Sequence, residues 1–128
     1  MKKYIPFLLS LFLLTGCAGN TAKDIGYRQI TTKEAVTMME DETDYIILDV
    51  RTREEYEEKH LPEAVNIPNE SIGSEEISEL PDKDQLIFVY CRSGNRSKQA
   101  SEKLADLGYT NIVEFGGIND WMGETVSE

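Results

Sequence analysis

Two short apolar runs constrain this chain more than any other feature: Tyr45 to Val50 (YIILDV) and Leu86 to Tyr90 (LIFVY). Each has the length of a strand and almost no polar break, the pattern of a strand covered on both faces. Helix-like segments lie between and around them. Tyr27 to Ile30 reads as a short edge strand, and Thr31 with Glu34 forms a capping box that opens a helix bearing Ala35, Val36 and Met39 on one face. Thr52 with Glu55 repeats that signal before a short helix from Arg53 to Lys59. Val65 to Ile67 is a third strand candidate, and Ser74 to Leu80 reads as a brief helix stopped by Pro81. A helix from about Asn95 to Leu107 turns Ala100, Leu104 and Leu107 inward, with Gly108 placed as its C-cap glycine. Asn111 to Phe115 supplies the last strand, and Ile118 to Met122 a terminal helical turn.

Such alternation implies an α/β fold: a central parallel sheet of about five strands, flanked by helices on both faces. A length of 128 residues suits one domain, and 40% hydrophobic with 29% charged residues is a globular composition. The net charge of −11 gives no basic footprint for phosphates, which argues against a nucleic-acid partner. The same charge repels anionic lipid headgroups, so membrane attachment needs a separate device.

The N-terminus offers one. Lys2 and Lys3 precede an apolar run from Ile5 to Leu14, interrupted by Pro6 and Ser10. As a helix that run would span only about 15 Å, roughly half a bilayer core, so it reads as a signal peptide rather than a membrane span. Leu14-Thr15-Gly16-Cys17 follows directly and resembles the lipobox of bacterial lipoproteins, in which the cysteine is lipidated and the signal cut just before it. The organisation expected is a signal peptide at 1–16, lipidated Cys17 with a polar tether at 17–26, and a globular domain at 27–128. Two acyl chains give a stable anchor. The predicted location is the bacterial cell membrane, with the domain outside the cytoplasm.

Cys17 and Cys91 are the only cysteines, so lipidation of Cys17 leaves Cys91 without an intramolecular partner. Cys91 ends the strongest strand candidate and precedes a helix, the position where open α/β folds build sites. Three features there favour a thiolate. The helix N-terminus offers unpaired amides and a positive dipole end. Arg92 and Arg96 bring positive charge into an acidic protein. Gly94 allows positive φ, so that amides can curl toward one point as an anion nest. The thiolate is the reactive form of cysteine. The structural alternative is a buried cysteine behaving as a small hydrophobe.

With its flanks, this loop resembles the rhodanese family. The resemblance runs from about Thr31 to Trp121 through Leu48-Asp49-Val50-Arg51, Glu54-Glu55-Tyr56, His60-Leu61-Pro62-Glu63-Ala64-Val65-Asn66-Ile67-Pro68, Tyr90 to Ser97, and Gly116-Gly117-Ile118 with Trp121. Glu63 departs from a common family glycine, and Met122 to Glu128 lacks the usual Gly-x-Pro ending. The resemblance implies a sulfurtransferase in which catalytic Cys91 carries sulfur as a persulfide, taken from a donor such as thiosulfate and passed to a thiol acceptor. Arg92, Ser93, Gly94, Asn95 and Arg96 are then the substrate-binding residues, with Arg92 meeting an anionic donor and Arg96 holding the loop's shape. No metal or other cofactor is called for, and a single histidine, His60, is too sparse for a zinc site. His60 is expected to fix the turn before Pro62, Arg51 to pair with the acidic helix after it, and Trp121 to anchor the C-terminal turn.

Three rivals remain at this point. Phosphatases on related folds place five residues between Cys and Arg, whereas Arg96 follows Cys91 after four and Ser97 stands where the arginine is needed. A non-enzymatic, membrane-tethered partner-binding module would have no use for the retained cysteine and arginines. A sulfur carrier fed by a protein would share the persulfide. A thiol-redox protein that regenerates Cys91 is a further candidate partner, and a monomer is expected.

Overall fold

Two threonines decide where the first helices begin. In the computed structural model, which describes residues 25–128, Thr31 Oγ1 accepts from the Glu34 amide at 3.0 Å while the Glu34 carboxylate accepts from the Thr31 amide at 2.9 Å. Thr52 and Glu55 repeat the exchange at 3.2 and 3.0 Å. These boxes open α1 (Thr32–Asp41) and α2 (Arg53–Glu58), each cap contributing about 1 kcal/mol. On α1 the inward face is Ala35, Met38 and Met39 rather than Ala35, Val36 and Met39, because the i, i+3, i+4 row meets the sheet and Val36 falls beside it.

Five parallel strands form one sheet: β1 (Arg28–Gln29), β2 (Tyr45–Asp49), β3 (Val65–Asn66), β4 (Leu86–Cys91) and β5 (Ile112–Gly117), in the order β1-β5-β4-β2-β3. Every residue of the central strand β4 is buried, which is why its sequence shows no polar alternation. The strand still sends alternate side chains to different layers. Leu86, Phe88 and Tyr90 pack with Ala35 of α1 and Tyr56 of α2, while Ile87, Val89 and Cys91 pack with Ala100 and Leu104 of a third helix, α3 (Asn95–Asp106). Helices therefore cover both faces, and the reactive-cysteine candidate lies on the α3 side.

The end of α3 is set by Gly108 at φ +102°. The Gly108 amide donates to the Ala105 carbonyl and the Tyr109 amide to the Leu104 carbonyl, the paired bonds of a Schellman ending.

The segment Ser74 to Leu80 is not a helix. A 3-10 turn at Asn69–Ser71 precedes it, and the following chain is held by Ile77 and buried Leu80 and by the Tyr109 hydroxyl donating to the Leu80 carbonyl. A helix here would stack Glu75 on Glu79 and Glu76 on Glu79, a repulsion that seven residues cannot offset against the cost of nucleation. The terminal turn is likewise shorter than expected, a 3-10 turn at Ile118–Asp120, after which Trp121 packs on Phe115 and donates Nε1–H to the Glu124 carbonyl. The signal peptide, Cys17 and most of the tether lie outside the described residues.

Candidate active site

Strand β4 delivers Cys91 to the carboxyl end of the sheet, where the β4–β5 register shifts between Val89 and Cys91. The loop that follows turns at Gly94, whose φ of +121° is a conformation glycine adopts without strain, and α3 starts at the next residue. That turn aims the Gly94 amide at Cys91 Sγ over 3.0 Å. Cys91 is buried and is a free thiol among the described residues. Ser93 and Asn95 face solvent, and Gly94 is buried beneath them.

The loop rests on β5. A Cβ at Gly117 would stand 1.9 Å from the Arg92 carbonyl oxygen, so only glycine permits this approach, and the same carbonyl accepts from the Asn119 amide at 3.1 Å. Beneath the sulfur, Ser97 Oγ lies 3.4 Å from Cys91 Sγ. The Ser97 hydroxyl in turn donates to Glu114 Oε2 at 2.5 Å, and the Gly116 amide donates to that oxygen at 2.9 Å.

Arg92 and Arg96 converge on one carboxylate. Arg92 donates Nε–H and Nη2–H to Glu55 Oε2 at 3.1 and 3.0 Å, while Arg96 reaches Oε1 from Nη1 at 2.8 Å and Oε2 from Nη2 at 3.2 Å. The Arg96 bonds, aided by those from Thr52 and Arg92, hold the Glu55 carboxyl well below the usual range despite its partial burial. Arg92 therefore does not simply project from the loop toward a donor: Glu55, which ends the capping box of α2, ties both arginines to that helix. Arg92 keeps half its side chain in solvent.

On the other side of β4, Arg51 forms its ion pair with Asp49 and not with a carboxylate of the acidic helix, whose C-cap carbonyl it also reaches. Its Nη2 is 2.7 Å from Asp49 Oδ2 and its Nε 3.1 Å from Oδ1, and Nη2 also donates to the Lys59 carbonyl. Doubling back two residues lets a buried guanidinium meet a buried carboxylate, which leaving either ion alone would forbid. The Tyr90 hydroxyl donates to Asp49 Oδ2 at 2.6 Å and accepts from the Leu61 amide; burial first, and then Asp49, hold that phenol protonated. His60 stacks on Tyr56 with ring centres 3.7 Å apart, hydrogen-bonds the Tyr56 carbonyl through Nδ1, and pairs through its backbone with Val126. It belongs to the layer opposite Cys91 and holds the chain before Pro62. No group of three or more His, Cys, Asp or Glu able to hold a metal occurs among the described residues.

A sequence profile of the Rhodanese-like domain matches residues 31–124. The chain belongs to this family. A second profile, that of a prokaryotic membrane lipoprotein lipid attachment site, matches residues 1–18, so this rhodanese-like protein carries a lipidation signal. No helix among the described residues is long and apolar enough to cross a membrane.

Thiosulfate sulfurtransferase PspE of Escherichia coli is 38% identical over 73 residues, covering 57% of this chain and 70% of PspE. Thiosulfate sulfurtransferase GlpE of Coxiella burnetii is 31% identical over 96 residues, covering 74% of this chain and 87% of GlpE. Other relatives are far longer: the match to the adenylyltransferase and sulfurtransferase UBA4 of Meyerozyma guilliermondii spans only 21% of that protein. Among solved structures, a rhodanese with anions from E. coli superposes with a TM-score of 0.60 at 34% identity, over 66% of this chain and 99% of its own.

Three residues that surround the candidate site escape a reading of the sequence. Glu55 carries a capping motif that accounts for it fully, and Ser97 matters there only in counting from Cys91. Glu114 did leave a signal, as a charge inside the apolar run Ile112-Val113-Glu114-Phe115.

Proposed function

We propose that this protein is a lipid-anchored sulfurtransferase with its domain outside the cytoplasm, carrying sulfane sulfur as a Cys91 persulfide. The observation that carries the reading is the Gly94 amide aimed at Cys91 Sγ at the start of α3. An amide and a helix N-terminus stabilise negative charge first on the thiolate and then on the sulfur bonded to it. The Cys91 thiolate attacks the outer sulfur of thiosulfate; the new S–S bond forms as the old one breaks, and sulfite leaves with the bonding pair. The dianion and thiolate become sulfite and a persulfide anion, so charge balances. An acceptor thiolate then takes the outer sulfur and returns Cys91 to its starting state. This is covalent catalysis in two half-reactions.

In this reading the backbone of Arg92 to Arg96 lines the anion site, and the half-exposed Arg92 guanidinium guides the donor in from the rim. The family match and the thiosulfate sulfurtransferases among its relatives support the assignment. Ser97 at the place of a phosphatase arginine argues against phosphoryl chemistry, since a hydroxyl cannot clamp a tetrahedral dianion as a guanidinium does.

Intact-mass measurement of the purified domain after incubation with thiosulfate tests the proposal. A gain of one sulfur is expected, with sulfite released in equal amount, and neither in Cys91→Ser. Absence of the adduct with thiosulfate and with a small-molecule persulfide would sink it.

A further inference from the structure

Glu114 is a buried carboxylate, 2% exposed, and none of the ion pairs among the described residues includes it. Its Oε2 receives hydrogen bonds from neutral donors, the Ser97 hydroxyl and the Gly116 amide. Burying a carboxylate is costly, and two neutral donors offset that cost less than an arginine would. Its position has a chemical use. Ser97 Oγ stands between Glu114 Oε2 at 2.5 Å and Cys91 Sγ at 3.4 Å. Ser97 has one hydroxyl hydrogen and three acceptors in reach, the Gly94 carbonyl at 3.0 Å, the Gly116 carbonyl at 3.3 Å and the carboxylate. The carboxylate is nearest and carries the charge, so the hydroxyl points there and leaves an oxygen lone pair for the thiol.

From this line of atoms we infer that Glu114 is the proton acceptor for Cys91, acting through Ser97. The inference rests on Cys91 being the nucleophile. The thiol S–H bond breaks as its proton joins Ser97 Oγ, and the original Ser97 hydroxyl proton passes to Glu114 Oε2. Serine ends unchanged, the thiol becomes a thiolate, the carboxylate becomes a carboxylic acid, and total charge is constant. When the acceptor removes the outer sulfur and leaves the Cys91 thiolate, Glu114 can return the proton by the same route.

The other charged and titratable groups around the relay lie outside it. Tyr27, next to β1, senses both Glu114 and Glu102, and burial with their charges raises its phenol above the usual value. Arg96, on the loop side, senses Cys91 but is hydrogen-bonded to Glu55. Glu114 is a positioning residue in this scheme, since it touches neither substrate nor sulfur.

The rate at which iodoacetamide alkylates Cys91, followed by mass across pH, measures thiolate without requiring sulfur transfer. In Glu114→Gln, which keeps the size and an acceptor oxygen but takes no proton, alkylation should slow by about tenfold near pH 6 and recover at alkaline pH, where the thiol ionises into solvent. Ser97→Ala should move the profile the same way. A Glu114→Gln profile that is unmoved, or moved toward acid as removal of a repelling spectator charge would make it, overturns the inference. If that variant fails to fold, the Ser97→Ala profile decides on the same criterion. Wild type that shows the relay but gains no sulfur from any donor would refute the sulfurtransferase reading and leave the relay standing.

Discussion

Asp49 and Glu114 are two buried carboxylates on the two strands that flank β4, and their surroundings differ sharply. Asp49, on β2, is fully enclosed and meets the Arg51 guanidinium, the Arg51 amide and the Tyr90 hydroxyl. Glu114, on β5, is as deeply buried but receives only a hydroxyl and an amide. A carboxylate matched by a guanidinium can fix geometry: Asp49 ties the end of β2 to Tyr90 at the end of β4. Among the described residues Glu114 has no cation beside it, and its contact with Ser97 sets it in line with Cys91. Two similar side chains, one on each strand beside β4, thereby differ in what they can do through their partners alone.

The largest effect expected is on stability. Asp49→Asn should cost about 3–5 kcal/mol, because it leaves the buried Arg51 charge uncompensated. Glu114→Gln, which strands no cation, should cost about 1 kcal/mol or less. Urea denaturation of both variants checks the pair, and equal costs would break the distinction between them. Glu55→Gln gives a smaller and pH-dependent effect of about 1 kcal/mol, since its partners are partly solvated. Because the folded Glu55 carboxyl lies below its unfolded value, the advantage of wild type over this variant should be complete above the ordinary carboxylate range. It should fade as pH falls toward the folded value, which denaturation curves at several acidic pH values would reveal. Smallest is Glu63→Gly. Glu63 adopts φ +68°, a region costly for a side chain, so glycine there should raise stability by about 0.5 kcal/mol and leave both carboxylates untouched. A thermal melt showing no rise would mean that local contacts of Glu63 offset the strain.

Much of the architecture was legible because local rules and tertiary packing agree. The apolar runs at 45–50 and 86–90 could only be doubly covered strands, the Thr31 and Thr52 boxes started helices where they stand, and Gly108 ended α3. Ser74 to Leu80 misled because an acidic segment with two inward apolar residues can satisfy the core without regular structure. The nucleophile candidate and its loop were visible in one contiguous stretch. Their partners were not, since Ser97 meets Glu114 across 17 residues and Arg96 meets Glu55 across 41. Such contacts follow from which strand and helix lie beside β4, and no local pattern encodes that.

The contact between Gly117 and the Arg92 carbonyl gives the site a mechanical character. With the strand pressed against the loop and the Asn119 amide bonded to the same oxygen, the loop's first residue is pinned from below. The loop that carries the cysteine is therefore held against β5. Under the proposed function, a persulfide on Cys91 would lengthen the side chain by one atom, and that added atom would carry the cargo outward to a visiting acceptor.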